Sequence, residues 1–89
     1  GFIRIPETGV YVFYVNSDDG AKLSVAGHEI VANDGVHGMT EENAEIALGA
    51  GWHSFELVYF QGRGEMGLEV LWRGPGFAKV LIPAGAFGR

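Results

Sequence analysis

V-Y-V-F-Y-V-N-S-D-D-G-A-K-L-S-V-A-G, residues 10–27, decides how the rest of the chain is read. Its opening six residues are β-branched or aromatic, the side chains that fit a pleated, packed surface. Residues 10–15 are apolar on both faces and predict a central strand covered on both sides. Residues 17–20 predict a corner, because Asp and Gly favour turns. Residues 21–25 then alternate, with Leu23 and Val25 inward and Lys22 and Ser24 outward. Ala26-Gly27 predicts a hairpin turn into a strand over 29–32.

The same alternation recurs along the chain. Residues 2–5 predict a short strand, stopped by Pro6 and the turn Glu7-Thr8-Gly9. Asn33-Asp34-Gly35 is a turn signal, and 36–43 predicts an irregular connection with room for a brief helical turn at 40–44. A short strand is expected at 45–48. The longest is expected at 52–60, with Phe55, Leu57 and Tyr59 on one face and Ser54 and Glu56 on the other. A glycine-rich loop follows at 61–67, then a strand at 68–73 broken by Gly74-Pro75-Gly76, and a last strand at 79–82 closed by Pro83. No helical periodicity is sustained anywhere. The expected fold is all-β, an antiparallel sandwich or barrel of about seven or eight short strands, in a single domain over residues 1–89.

Composition narrows the function classes. Apolar residues make up 47% of the 89, too many for a disordered segment. The longest apolar run, 10–15, is far short of a membrane span. Six Lys plus Arg against eleven Asp plus Glu give a net charge of −5, and the basic residues are scattered. That argues against nucleic acid or an anionic membrane surface as partner, as the short apolar run argues against membrane insertion, and is compatible with cations or neutral polar ligands. With no cysteine, disulfides, thiol catalysis and thiolate metal sites are excluded.

Catalytic motifs are missing: there is no G-x-S-x-G elbow and no H-E-x-x-H pair. His28, His37 and His53 lack zinc-ligand spacing; His28 is expected in solvent, His53 as a packing or capping group, His37 as a loop-ordering hydrogen bond. Gly62, Gly64 and Gly67 spell G-x-G-x-x-G, but a strand follows where the dinucleotide fingerprint needs a helix. Trp52, Trp72, Tyr11, Tyr14 and Tyr59 could form a sugar-stacking platform; at alternate strand positions they are expected in the core. Asp18 and Asp19 remain. A divalent cation turns the repulsion of adjacent carboxylates into attraction, while an exposed Asp-Asp-Gly corner is also ordinary turn chemistry. A calcium site would need further oxygen donors, for which Gln61 and the 62–65 loop are the candidates.

The ordered segments I-P-E-T-G-V-Y-V-F-Y-V-N-S-D-D-G, N-D-G-V-H-G, A-G-W-H, Y-F-Q and W-R-G-P-G resemble the PA-14 domain, a family named after a fragment of the anthrax protective antigen. The resemblance spans residues 3–87 and looks most like versions attached to bacterial secreted glycosidases. It implies a β-barrel or sandwich module of extracellular, periplasmic or cell-surface proteins, non-catalytic itself, with carbohydrate binding as the usual role. In lectin-like members the adjacent aspartates, joined through a cis peptide, bind Ca²⁺, and the calcium coordinates sugar hydroxyls. On that pattern Asp18, Asp19 and Gln61 hold calcium, and Arg63 and Glu65 line the sugar position. Family members usually carry further strands before this segment, so the chain is expected to be part of a longer domain or protein. The alternative implied role is a structural module that packs on a neighbouring domain or subunit without binding sugar.

Overall fold

Period-two burial builds the elements. The computed structural model describes residues 1–18, 20–33, 40–59 and 67–88. Nine strands are assigned among them: β1 (Phe2–Ile5), β2 (Gly9–Asp18), β3 (Ala21–Val25), β4 (His28–Asn33), β5 (Thr40–Leu48), β6 (Gly51–Tyr59), β7 (Gly67–Gly74), β8 (Phe77–Leu81) and β9 (Phe87–Gly88). A 3-10 turn, Ala84–Ala86, precedes β9. The strands form two antiparallel sheets, ordered β4-β3-β6-β1-β9 and β5-β2-β7-β8. This confirms the all-β antiparallel sandwich, with β9 beyond the expected count.

β2 is the axis of its sheet, flanked by β5 on one side and β7 on the other. Its inward residues Tyr11, Phe13, Val15 and Ser17 are all fully buried. Covering of the outer face is partial: Val12 is buried and Tyr14 half-buried, but Val10 is exposed. Lys79 supplies some of that cover. Its Nζ lies 4.3 Å from the Tyr14 ring centroid and 2.9 Å from Glu41 Oε2.

β6 holds the other sheet together, pairing with β1 through its N-terminal half and with β3 through its C-terminal half. Ile3, Ile5, Leu23, Val25 and Val31 meet the β2 residues, Leu48 and Trp72 in one core. Turn chemistry fixes the registers. Ala26 and Gly27 both have positive φ (53° and 79°), which makes the β3–β4 loop the two-residue turn whose twist suits a hairpin. Gly76, with φ 82° after Pro75, closes β7–β8 in a left-handed conformation that glycine adopts without a steric penalty.

One expectation is overturned. Residues 40–44 are neither irregular nor helical; they are the first half of the nine-residue strand β5, which pairs with β2 from Ser17↔Thr40 to Gly9↔Leu48. Local polarity (T-E-E-N) hid the strand, because β5 is an edge whose residues 41–43 face water, and backbone pairing to β2 overrides local propensity. The turn expected at 33–35 falls largely outside the described residues.

Candidate functional site

Three connections pass between the two sheets at one end of the sandwich. β2 ends at Asp18 and β3 begins at Ala21; β4 ends at Asn33 and β5 begins at Thr40; β6 ends at Tyr59 and β7 begins at Gly67. The ladders place these termini side by side. Ser17 is opposite Thr40 and Asp18 opposite Gly67 in one sheet, while Ala21 is opposite both Asn33 and Tyr59 in the other. The segment 60–66 therefore leaves its strand opposite Ala21 and rejoins a strand opposite Asp18. Its two anchors bracket the Asp corner.

The corner stands on a firm base. Ser17, Gly20 and Ala21 are buried, as is Val15 one step back along β2. The buried residues of β2 alternate along the strand and tie its end to the core. β2 runs past the strand expected at 10–15 and takes in Ser17 and Asp18, where the sequence predicted a corner, because pairing with β5 and β7 carries the ladder on to Asp18.

Of the proposed site residues, Asp18 is the terminal residue of β2. Asp19, Gln61, Arg63 and Glu65 lie outside the described residues, as do His37 and the Asp18–Asp19 peptide. A hard-oxygen donor set of two carboxylates and an amide is chemically suited to Ca²⁺, which takes six to eight oxygen ligands from carboxylates, amide and backbone carbonyls and water. Among the described residues no group of three or more His, Asp or Glu side chains could hold a metal ion. The near neighbours of the corner on the outer sheet face are polar and exposed to water: Asn16 Nδ2 donates to Glu69 Oε1 at 3.4 Å.

The remaining candidates fall as follows. His28 is exposed at the start of β4, as expected. His53 Nε2 lies 2.6 Å from the Gly49 carbonyl and fastens the β5–β6 turn, far from the Asp corner along the strands. Tyr11 and Trp72 are in the core, and Tyr14 and Tyr59 are half-buried. Trp52 corrects the core expectation, because its side chain is 56% exposed. It shares strand parity with Ser54 and Glu56, the outward face of β6, and that parity was the signal available in the sequence.

The PA14 domain family matches residues 1–86 of the 89. No curated protein sequence matches the chain. Among solved structures, an "anti-sigma factor domain-containing protein" superposes with a TM-score of 0.94 at 25% identity, covering 99% of this chain and 31% of that one. A second, an "anti-sigma factor domain-containing protein from Clostridium clariflavum", gives a TM-score of 0.88 at 30% identity, covering 97% of this chain and 30% of its own. The chain thus spans about a third of the length of those proteins. By a match along nearly its whole length, with the two-sheet sandwich and the ordered motifs in agreement, this chain belongs to the PA14 domain family.

Proposed function

We propose that the chain is a non-catalytic, calcium-dependent carbohydrate-binding module of an exported bacterial protein, one that can be appended to a secreted glycosidase. The observation that carries this reading is the register at one end of the sandwich, Asp18 against Gly67 and Ala21 against Tyr59. It brackets the acid pair with the ends of the segment that supplies Gln61, Arg63 and Glu65. Asp18, Asp19 and Gln61 would hold the calcium, whose open coordination positions supply direct bonds to sugar hydroxyls. Arg63 donates and Glu65 accepts hydrogen bonds at the hydroxyls that face them. Such a neutral, polyhydroxylated ligand suits a surface of net charge −5 better than an anion does.

The test is calorimetric. Millimolar CaCl₂ is expected to raise the thermal midpoint, chelator to reverse the rise, and Asp18→Asn with Asp19→Asn to abolish it. At free calcium one hundred times Kd the stabilisation is about 2.7 kcal/mol. A midpoint that does not move with calcium removes the proposal.

One observation favours a second reading, a packing module within a longer protein. Val80 and Leu81 on the edge strand β8 are 48% and 53% exposed. They line an apolar groove of about 350 Å³ with Pro6, Trp72, Phe77 and Pro83. An exposed apolar edge is normally covered or charged. This reading expects no calcium response and no binding to a glycan array.

A further inference from the structure

The outer face of the β4-β3-β6-β1-β9 sheet carries an aromatic surface that runs into a patch of polar side chains. Trp52 is 56% exposed and Phe2 44%. A Cβ on Gly88 would lie 2.7 Å from Trp52 Cζ3, so the indole rests on bare β9 backbone and turns its free side to water. Arg4 is the direct cross-strand partner of Trp52, and Phe2 is the partner of Ser54. Ser54 follows Trp52 by two positions on the same face, about 7 Å along the strand. Beyond it on the same face Glu56 is exposed and Ser24 half-buried. Ser24 stands opposite Glu56 there. The side chains of Ser24, Ser54 and Glu56 make no hydrogen bond among the described residues.

We propose that this face is a second, calcium-independent glycan subsite. Trp52 stacks on one pyranose ring, and Ser24, Ser54 and Glu56 bind the hydroxyls of the next. The proposal shares with the calcium reading only the class of ligand; the residues and the place on the sandwich differ. Three features select the occupant. A large aromatic half open to water binds a ligand with an apolar planar face, and burying it contributes strongly to affinity. Unengaged hydroxyls beside a carboxylate call for a ligand rich in O–H donors, since Glu56 can only accept when ionised. A carboxylate on this face of a chain of charge −5 disfavours a phosphate or other anion. A pyranose whose hydroxyls are equatorial offers C–H groups on its faces and O–H groups around its rim. A β-1,4-linked glucose-configured chain repeats that pattern, and the face from Gly88 across β1 and β6 to Ser24 crosses three strand spacings, about 14 Å, room for more than one ring.

The chain reports on itself, because Trp72 is only 5% exposed and acrylamide quenching reads Trp52. Cellohexaose titrated into the 89-residue chain in the presence of EDTA is expected to lower the quenching constant at least about twofold. Trp52→Ala should abolish calorimetric binding while its circular-dichroism melt stays close to wild type. Glu56→Gln and Ser54→Ala should each weaken binding about three- to tenfold, the loss of one hydrogen bond. Asp18→Asn with Asp19→Asn should leave the titration unchanged. Absence of protection with cellohexaose overturns the proposal, as does binding that survives Trp52→Ala. Protection that disappears in EDTA or in the Asp variant also overturns it and assigns the sugar to the Asp corner instead. Protection by self-association, seen by sedimentation without sugar, identifies the face as a packing surface and refutes the subsite.

Discussion

Tyr11→Phe removes one oxygen from a fully buried side chain, and its effect can be worked from the contacts. The hydroxyl donates to the Glu7 carbonyl and accepts from the Glu7 amide at 3.2 Å, so one atom fastens both backbone groups of the turn that feeds β2. The ring itself stays, 5.8 Å from Trp72 and 6.2 Å from Phe77 between centroids, so no large void opens. Each hydrogen bond contributes about 0.5–1.5 kcal/mol net. Because Pro6, Glu7 and Thr8 are exposed, the freed groups regain water, which keeps the loss in the lower half of the combined range, about 1–2 kcal/mol. For a domain of this size, each kcal/mol moves the midpoint by about 4–8 °C, so a fall of about 5–15 °C is expected. Thermal melts followed by circular dichroism measure it. A shift under about 2 °C would show that the turn is held by something other than this hydroxyl. Tyr11→Leu, which also loses the ring contacts, should cost at least about 2 kcal/mol more and separates the hydroxyl from the packing.

Other perturbations test separate parts of the structure. Gly74→Ala places a Cβ 2.4 Å from Tyr11 Cε2 and 2.9 Å from Phe77 Cε1, so overpacking should cost about 1–3 kcal/mol in urea unfolding. Lys79→Ala removes the contacts to Tyr14 and Glu41, but both charged groups are more than a third exposed or close to it (41% and 35%). Its cost should stay under about 1 kcal/mol and shrink further in high salt, as unfolding at two ionic strengths will show.

Much of this fold was legible because the alternation is strong. β1 was placed residue for residue, and β3, β6 and β7 to within a residue at each end, since each buries one face and shows polar residues on the other. β5 was shortened by five residues: an edge strand with T-E-E-N at its start has no apolar pattern to read. β9, two residues long, has no period at all and exists because Phe2 and Ile3 offer it an edge. The exposure of Trp52 was written in the parity of β6, where the size of the side chain argued for the core and its position argued against. The Asp corner was readable as a turn from composition alone, but what lies beside it depends on the pairing of β2 with β7 and of β3 with β6, which no local stretch contains.

The two ends of the sandwich are built for different work. At the end opposite the Asp corner, connections are short and locally fastened. Tyr11 holds Glu7, the Ala50 amide donates to Thr8 Oγ1 at 2.9 Å, and His53 holds Gly49. Two glycines with positive φ, Gly27 and Gly76, close the hairpins there. At the other end the crossings at 34–39 and 60–66 are longer, and their anchors are strand termini set by core packing. Loops carried on such a scaffold can change sequence with little effect on the fold, which is where binding residues tend to accumulate. Distant, independent sites should then behave additively. Tyr11→Phe should lower the midpoint by the same amount with and without the Asp18→Asn, Asp19→Asn pair, and should leave any calcium-induced rise intact. A calcium response that fell with Tyr11→Phe would mean that the stapled end and the Asp corner are coupled through β2, and that the division of labour between them is not what the register implies.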